Sequence, residues 1–367
     1  MNQVHVLHIV PGLGPGGMEL TMAKVISGLN SGHMRHSIVC LKGESELGDR
    51  LPPSTDIHCM HARPNEPQLP LRLRGVLRRV RPTVVHARNW GAWPDASVAR
   101  LLCRPIVPFV LSFHGLGKAG YMPLRRRWAS WMLARMATGL VAVSHQSKQL
   151  MVEKWGWPSR KVEIISNGVD TDRFRPAETP RAGGPFVVGT VGNLRSVKNH
   201  ALLLDACADL VRRNVDLEVR IAGEGEQQDN LLALAASNGL AERLTLCGRV
   251  EDVPGFLHNL DLFVLSSDSE QHPNALNEAM ACGLACVSTR VGCVDELLDD
   301  GHSGTIVSPG NQAELTAAIG KLILNSTLRT AHGRAARKRA CEHYSLDTML
   351  NGYDQLYSRL SSRGQQT

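Results

Sequence analysis

Short apolar runs recur along the whole chain, and stretches with helical spacing lie between them. Residues 4–10, 37–41, 84–86, 109–113 and 139–143 read as strands, with helical patterns such as 19–29 and 71–79 in the gaps. Strands that alternate with helices in this way form an open parallel sheet covered by helices. The stretch 171–185, TDRFRPAETPRAGGP, has no periodicity and is rich in Pro, Gly and Arg, so it reads as a linker. A second series follows at 186–191, 217–222, 244–246, 262–265, 286–288 and 305–307, and residues 344–360 read as a last helix. The expected class is α/β with two Rossmann-like domains.

At 367 residues the chain is long enough for two such domains. Hydrophobic residues make up 43% and charged residues 20%, the balance of a globular rather than a disordered protein. No apolar run approaches the ~20 residues of a membrane-spanning helix. The opening MNQVHVLHIVPG has no basic region before its apolar run, and it reads as a first strand rather than a signal peptide. The 9 cysteines include no C-x-x-C pair and suit buried free thiols in a reducing cytosol. A net charge of +7 admits anionic small substrates, membrane surfaces or nucleic acid as partners.

Residues 263–296, FVLSSDSEQHPNALNEAMACGLACVSTRVGCVDE, carry the most chemistry. The apolar run 262–265 is a buried strand, 266–273 a polar loop, 274–282 a helix stopped by Gly283, and 285–288 the next parallel strand. In such a unit ligands sit beyond the carboxyl end of the strand, where the helix start favours an anion. Glu270 lies in that loop and Glu278 on the helix, seven residues apart. One carboxylate thus faces the reacting region and the other lies a turn deeper, which suits a phosphate-linked sugar whose ribose reaches Glu278.

SEQHPNALNEAMACG resembles the E-x7-E motif of the retaining glycosyltransferases of family four, which include sucrose synthase and bacterial mannosyltransferases. The family carries Gly where Gln271 stands. Its P-G-G-x-E signature is matched by Pro15-Gly16-Gly17-Met18-Glu19. That loop also fits G-x-G-x-x-G, but Lys42 stands where a dinucleotide fold needs an acid for the ribose. His114, in S-F-H-G at a strand end, matches the family histidine beside the donor sugar. The loop 189–200 resembles G-R-L-x-x-x-K, with Asn193 at the usual Arg position, Arg195 close enough to stand in, and Lys198 aligned. Glycines and cations there suit a leaving diphosphate. Gly223-Glu224-Gly225, the nucleobase loop Cys247-Gly248-Arg249-Val250, Asn167-Gly168-Val169-Asp170 and the stretch 291–296 also match.

The resemblance implies a GT-B fold: domains 1–178 and 179–345 facing each other across a cleft, with a C-terminal helix (346–367) crossing back to the first. The first domain would hold the acceptor and the second the nucleotide-sugar. It implies Glu270 and His114 as catalytic. Donor binding falls to Gly16, Gly17, Arg195, Lys198, Arg249, Val250, Gln271, His272, Pro273, Asn274, Ala275 and Glu278, and Glu19 faces the acceptor. The expected activity is retaining and metal-independent transfer of a hexose to a glycan or lipid-linked acceptor in cell-surface polysaccharide, lipopolysaccharide or glycolipid synthesis. No cofactor is expected, since the nucleotide-sugar is a co-substrate. An inactive sugar-nucleotide-binding partner of a glycan-assembly complex and a same-fold epimerase are the alternatives.

Two basic clusters mark the first domain: Arg72, Arg74, Arg78, Arg79 and Arg81, and Arg125–Arg127 before Trp128 and Trp131. Arginines beside tryptophans on a helix suit an anionic membrane surface, hence a cytoplasmic protein peripheral at the inner membrane face. An ordinary solvated face is the competing reading. No aromatic-spaced motif for nucleic acid is present.

Overall fold

The computed structural model describes residues 3–364 apart from 15, 44–46, 48–49, 116–121, 180 and 182. Pro15 of the first glycine-rich loop and part of the expected acceptor region therefore lie outside the described residues. The chain forms two compact units, one of Met1–Asn167 with Asp347–Thr367 and one of Gly168–Leu346.

The first unit contains, in order, β1 (Val4–Val10), α1 (Gly17–Leu29), β2 (Met34–Cys40), β3 (Asp56–Cys59), α2 (Leu69–Val80), β4 (Val84–Arg88), α3 (Trp93–Leu101), β5 (Phe109–Phe113), α4 (Leu124–Met136), β6 (Gly139–Ala142), α5 (His145–Gln149) and β7 (Val162–Ile164). The second contains β8 (Phe186–Val191), α6 (His200–Arg212), β9 (Leu217–Ala222), α7 (Gln228–Ser237), β10 (Leu244–Leu246), α8 (Val253–His258), β11 (Leu262–Leu265), α9 (Asn274–Ala281), β12 (Cys286–Thr289), α10 (Val294–Leu297), β13 (Thr305–Val307), α11 (Gln312–Leu324) and α12 (Ser326–His343). The last helix, α13 (Leu346–Gly364), returns to the first unit.

Among the described residues the first sheet has order β3-β2-β1-β4-β5-β6-β7 and the second β10-β9-β8-β11-β12-β13. Every pairing is parallel, so each unit is the expected Rossmann-like α/β layer. The strand order reverses between β1 and β4 and between β8 and β11, and at such a reversal the loops diverge and leave a crevice for a ligand. The edge strands β3 and β7, four and three residues long, are absent from the sequence reading. Asp56 and Glu163 interrupt their apolar runs, as edge strands tolerate.

The described residues of 171–185, a stretch read from the sequence as a linker, belong to the second unit. Phe174 is buried there, and the Arg337 guanidinium of α12 donates to the carbonyls of Thr171 and Phe174. Proline and glycine give this segment its turns, but one aromatic anchor attaches it.

The last helix buries Met349, Tyr353, Leu356, Tyr357 and Leu360, an i, i+4, i+7, i+8, i+11 stripe. It meets α1 at Gly28, where any Cβ would collide with Leu350. Under Tyr353 and Tyr357 the sheet presents a polar face. His8 pairs in register with His86, and His36 stacks on His8. The His8 Nε2 lies 3.1 Å from the His36 Nδ1, and the His86 Nδ1 lies 2.8 Å from the Tyr357 hydroxyl. Burial, and after it the Arg88 charge, pushes His8 and His86 well below 6.5 and His36 down to about 4. The rings are thus neutral when folded, whereas the unfolded chain takes up protons below 6.5. Stability is full above that pH and declines below it, by ~1.4 kcal/mol per pH unit for each ring. All 6 tryptophans lie in this unit, so their fluorescence follows its unfolding. The unfolding midpoint should hold between about pH 8 and 7 and fall steadily from about 6.5 to 5; a midpoint indifferent to pH over that window contradicts the neutral cluster.

Candidate functional site

The loops after β8 and β11 flank the reversal of strand order in the second unit. They are tied together by backbone and side chains at once. The Asp268 N–H donates to the Val197 carbonyl at 2.9 Å, and the Ser266 hydroxyl donates to the Lys198 carbonyl at 3.2 Å. The Asn199 amide donates to Asp268 Oδ1 at 2.8 Å. Across this seam the Lys198 ammonium reaches Glu270 Oε1 at 2.5 Å, and the Ser267 hydroxyl donates to the same oxygen at 2.8 Å. The two side chains keep 26% and 13% of their surface exposed, so this charged hydrogen bond is shielded but reachable. Glu270 Oε2 makes no hydrogen bond among the described residues, which leaves one carboxylate oxygen for a ligand.

The β11 loop is shaped from behind. Gly292, following β12, has φ +53, and a Cβ there would lie 2.5 Å from the Glu270 carbonyl oxygen and 2.8 Å from that of Gln271. The Cys293 N–H donates to the Gln271 carbonyl at 3.0 Å, and the Thr289 hydroxyl donates to that of Ser267 at 2.6 Å. Gln271, where the family pattern has Gly, is not among the residues with positive φ, so its side chain costs the loop no strain. His272 and Pro273 are buried, and the His272 ring packs edge-on against Tyr344 at 5.8 Å. Pro273 caps α9, so Asn274 and Ala275 form its first turn and Glu278, half-buried, its second. The dipole of α9 gives the loop a positive end at that first turn.

A second wall comes from three glycines. The Gly192 N–H donates to Ala222, and the Gly223 N–H donates to the Gly248 carbonyl at 2.7 Å. Gly223 has φ +148, and a Cβ there would strike the Gly192 carbonyl. The loops after β8, β9 and β10 therefore stack backbone on backbone. Beside them the Arg249 N–H donates to Glu224 Oε1 at 3.3 Å, which fixes Arg249 and Val250 at the wall's end. The Arg195 side chain is exposed and makes no hydrogen bond or ion pair among the described residues, so its charge is available to an anion.

In the first unit Gly16 caps α1 in an extended conformation, Gly17 opens the helix, and Glu19 folds back over Gly16. Burial raises the Glu19 carboxyl, while its own backbone N–H and the charge of Arg88 hold it down. His114 follows β5. Its N–H donates to Asn89 Oδ1 at 2.7 Å, and its Nε2 lies 2.9 Å from the Ser112 hydroxyl and 3.2 Å from Arg88 Nη1. Sequence reasoning missed Arg88, Asn89, Ser267 and Thr289. A charged residue ending the apolar run of β4 was the one visible signal for Arg88.

The family model described as "Glycosyl transferases group 1" matches residues 172–339, and "Glycosyltransferase Family 4" matches residues 15–173. A glycogen synthase of Mycobacterium tuberculosis is 28% identical over 297 residues, 79% of this chain and 72% of its own length. A lipopolysaccharide core biosynthesis glycosyltransferase of Rhizobium meliloti is 26% identical, covering 78% of this chain and 79% of its own. Among solved structures, a glycosyltransferase of Rickettsia africae superposes with TM-score 0.86 at 20% identity, over 98% of this chain and 99% of its own. An Anabaena protein in complex with UDP-glucose superposes at 0.84, with 20% identity, over 97% of this chain and all 100% of its own. These two share the fold.

Gly292 and Gly301 both have positive φ, but only Gly292 has backbone in the space of a Cβ. Gly301→Ala should cost about 1 kcal/mol of backbone strain, and Gly292→Ala roughly 2–4 kcal/mol, since the loop bearing Glu270 must also move. Urea unfolding of both variants checks this; equal losses would mean that Gly292 does not shape the loop.

Proposed function

The chain belongs to the glycosyl transferases group 1, the family-four glycosyltransferases, and on that premise we propose that it moves a sugar from a nucleotide-sugar to a glycan or lipid-linked acceptor with retention of configuration. The observation that carries this reading is the Lys198–Glu270 pair, made by residues 72 positions apart at the reversal of strand order. Glu270 would hold donor sugar hydroxyls with its open oxygen and favour positive charge growing at the anomeric carbon. Lys198, Arg195 and the first turn of α9 would carry the leaving diphosphate, the work a metal ion does elsewhere. Glu278 would bind the ribose. The backbone at Arg249 and Val250 would meet the nucleobase. His114, with Gly16, Gly17 and Glu19, would serve the sugar and the acceptor. That the Anabaena protein was solved with UDP-glucose supports a uridine donor. Lipopolysaccharide core transferases among the relatives support a glycan or lipid-linked acceptor.

A panel of labelled nucleotide-sugars, with and without lipid-linked acceptors and with EDTA present, tests the reading. One donor should be consumed, faster with acceptor, and EDTA should leave the rate within about twofold, because protein cations supply the charge stabilisation. A rate abolished by EDTA and restored by Mg²⁺ would remove the cation account; binding without turnover would leave a sugar-nucleotide-binding protein.

The basic helix α4 bears on the acceptor. Leu124, Trp128 and Met132, at i, i+4 and i+8, are 77%, 65% and 39% exposed, with Arg125 and Arg126 exposed beside them. The rest of the expected membrane face turns inward. Trp131 packs against Gly156 with the Arg135 guanidinium over its ring, and Arg127 donates to the Lys154 carbonyl. No helix among the described residues is long and apolar enough to cross a membrane. An apolar stripe flanked by arginines fits the interface of an anionic leaflet, where a lipid-linked acceptor would sit. Binding to anionic vesicles should weaken roughly tenfold or more in Trp128→Ser, and salt should weaken it in the parent. Vesicle affinity unchanged by Trp128→Ser would return α4 to the status of a solvated face.

A further inference from the structure

Arg88 ends β4 beside the reversal of strand order in the first sheet, and it is fully buried. Register sets it next to Ser112 of β5, on the sheet face that also carries His86. A guanidinium keeps its charge at any working pH and only donates. Among the described residues Arg88 nevertheless has no carboxylate as a hydrogen-bond partner: its Nε and Nη2 have none, Nη1 faces the His114 Nε2 at 3.2 Å, and the Tyr357 hydroxyl meets the guanidinium from α13. The face of Tyr353 lies 5.6 Å from its carbon.

This geometry selects which ring nitrogen of His114 carries the proton. A donor-only group faces Nε2, so Nε2 must offer its lone pair, and the single proton of a neutral ring then sits on Nδ1. A proton on Nε2 would point one N–H at another in a fully buried place, whereas a bare Nε2 accepts from Arg88, and the Ser112 hydroxyl 2.9 Å away can rotate to donate there too. A doubly protonated ring would set two positive charges 3.2 Å apart. We propose that Arg88 is a positioning residue that locks His114 as the neutral Nδ1–H tautomer, with Nε2 held as an acceptor that takes no part in proton transfer. The consequence for transfer rests on the reading above, in which His114 meets the donor sugar. The tautomer itself does not rest on it.

The other groups around the pair support the lock. His8, His36 and His86 are held neutral by burial, so they bring no competing charge. Tyr353 and Tyr357 of α13 close the far side, and burial keeps Tyr357 protonated. From α1, Glu19 feels the charge of Arg88 without being among its hydrogen-bond partners. The last helix thus supports His114 through Arg88.

Nitrogen NMR of the full chain labelled in its 15 histidines decides the tautomer, with His114 assigned by its loss in His114→Gln. The expected His114 spectrum shows an unprotonated, pyridine-like Nε2 and a protonated Nδ1 that do not titrate between about pH 6 and 8. A proton-bearing Nε2 in that range overturns the proposal, whether or not any donor is turned over. A bare Nε2 with no transfer from any donor would count against the proposed reaction and leave the lock standing. Arg88→Met and Arg88→Lys add the kinetic reading. Arg88→Met should lower kcat roughly tenfold with donor KM within about twofold, and it should give kcat/KM an acid limb near pH 6.5 that the parent lacks. Arg88→Lys, which keeps a cationic donor, should restore most of the rate and remove the limb. A parent-like pH profile in a folded Arg88→Met protein overturns the role in transfer.

Discussion

The Lys198 ammonium and the Glu270 carboxylate hold one another at 2.5 Å across two loops that nothing in the chain order brings together. The sheet does so. Because β8 and β11 are neighbours while their following loops diverge, both loops end at one place, where the strand order reverses. Hydrogen bonds from Ser266, Asp268 and Asn199 then join the loops into one body. A lone carboxylate on a flexible loop would spread over many rotamers. Here it is held through one oxygen, and the other is left open. A ligand therefore meets a carboxylate already oriented, with its entropy lost during folding rather than during binding.

The first unit solves the opposite problem, a charge buried with no carboxylate bonded to it among the described residues. Arg88 lies on a sheet face whose other polar members, His8, His36 and His86, are neutral rings. Tyr353 supplies a π face, His114 a lone pair, and α13 seals the layer. The C-terminal helix contributes more than apolar area to this unit. It closes the environment in which one histidine at a strand end keeps a defined protonation state.

Much of this was legible in the residues. The mostly apolar runs of β5, β8 and β11 carry their own signal, because strands buried on both faces favour apolar residues. Glu270 and Lys198 stood out because strand-end loops rarely need a carboxylate and a cation for folding alone. The rest was hidden for physical reasons. β3 and β7 are short edge strands whose charged residues, Asp56 and Glu163, break the pattern that would reveal them. Phe174 ties a Pro- and Gly-rich segment into a core, which composition does not show. Trp131 lies one position along α4 from the exposed stripe, and only packing distinguishes it from Trp128. Arg88 was invisible as a site residue because its meaning lies in register, through Ser112 on the adjacent strand.

The most direct measurement is a double-mutant cycle on Lys198 and Glu270, read in donor turnover and, separately, in urea unfolding. If the pair acts as a catalytic unit, Lys198→Met and Glu270→Gln should each lower kcat by roughly 10²–10³, and the double variant should lose little more than either alone. Stability should change by no more than about 1 kcal/mol, since a partly exposed pair adds little to folding. The opposite pattern, folding stability lost in each single variant while kcat stays near that of the parent, would make the pair a structural clasp and place the chemistry elsewhere.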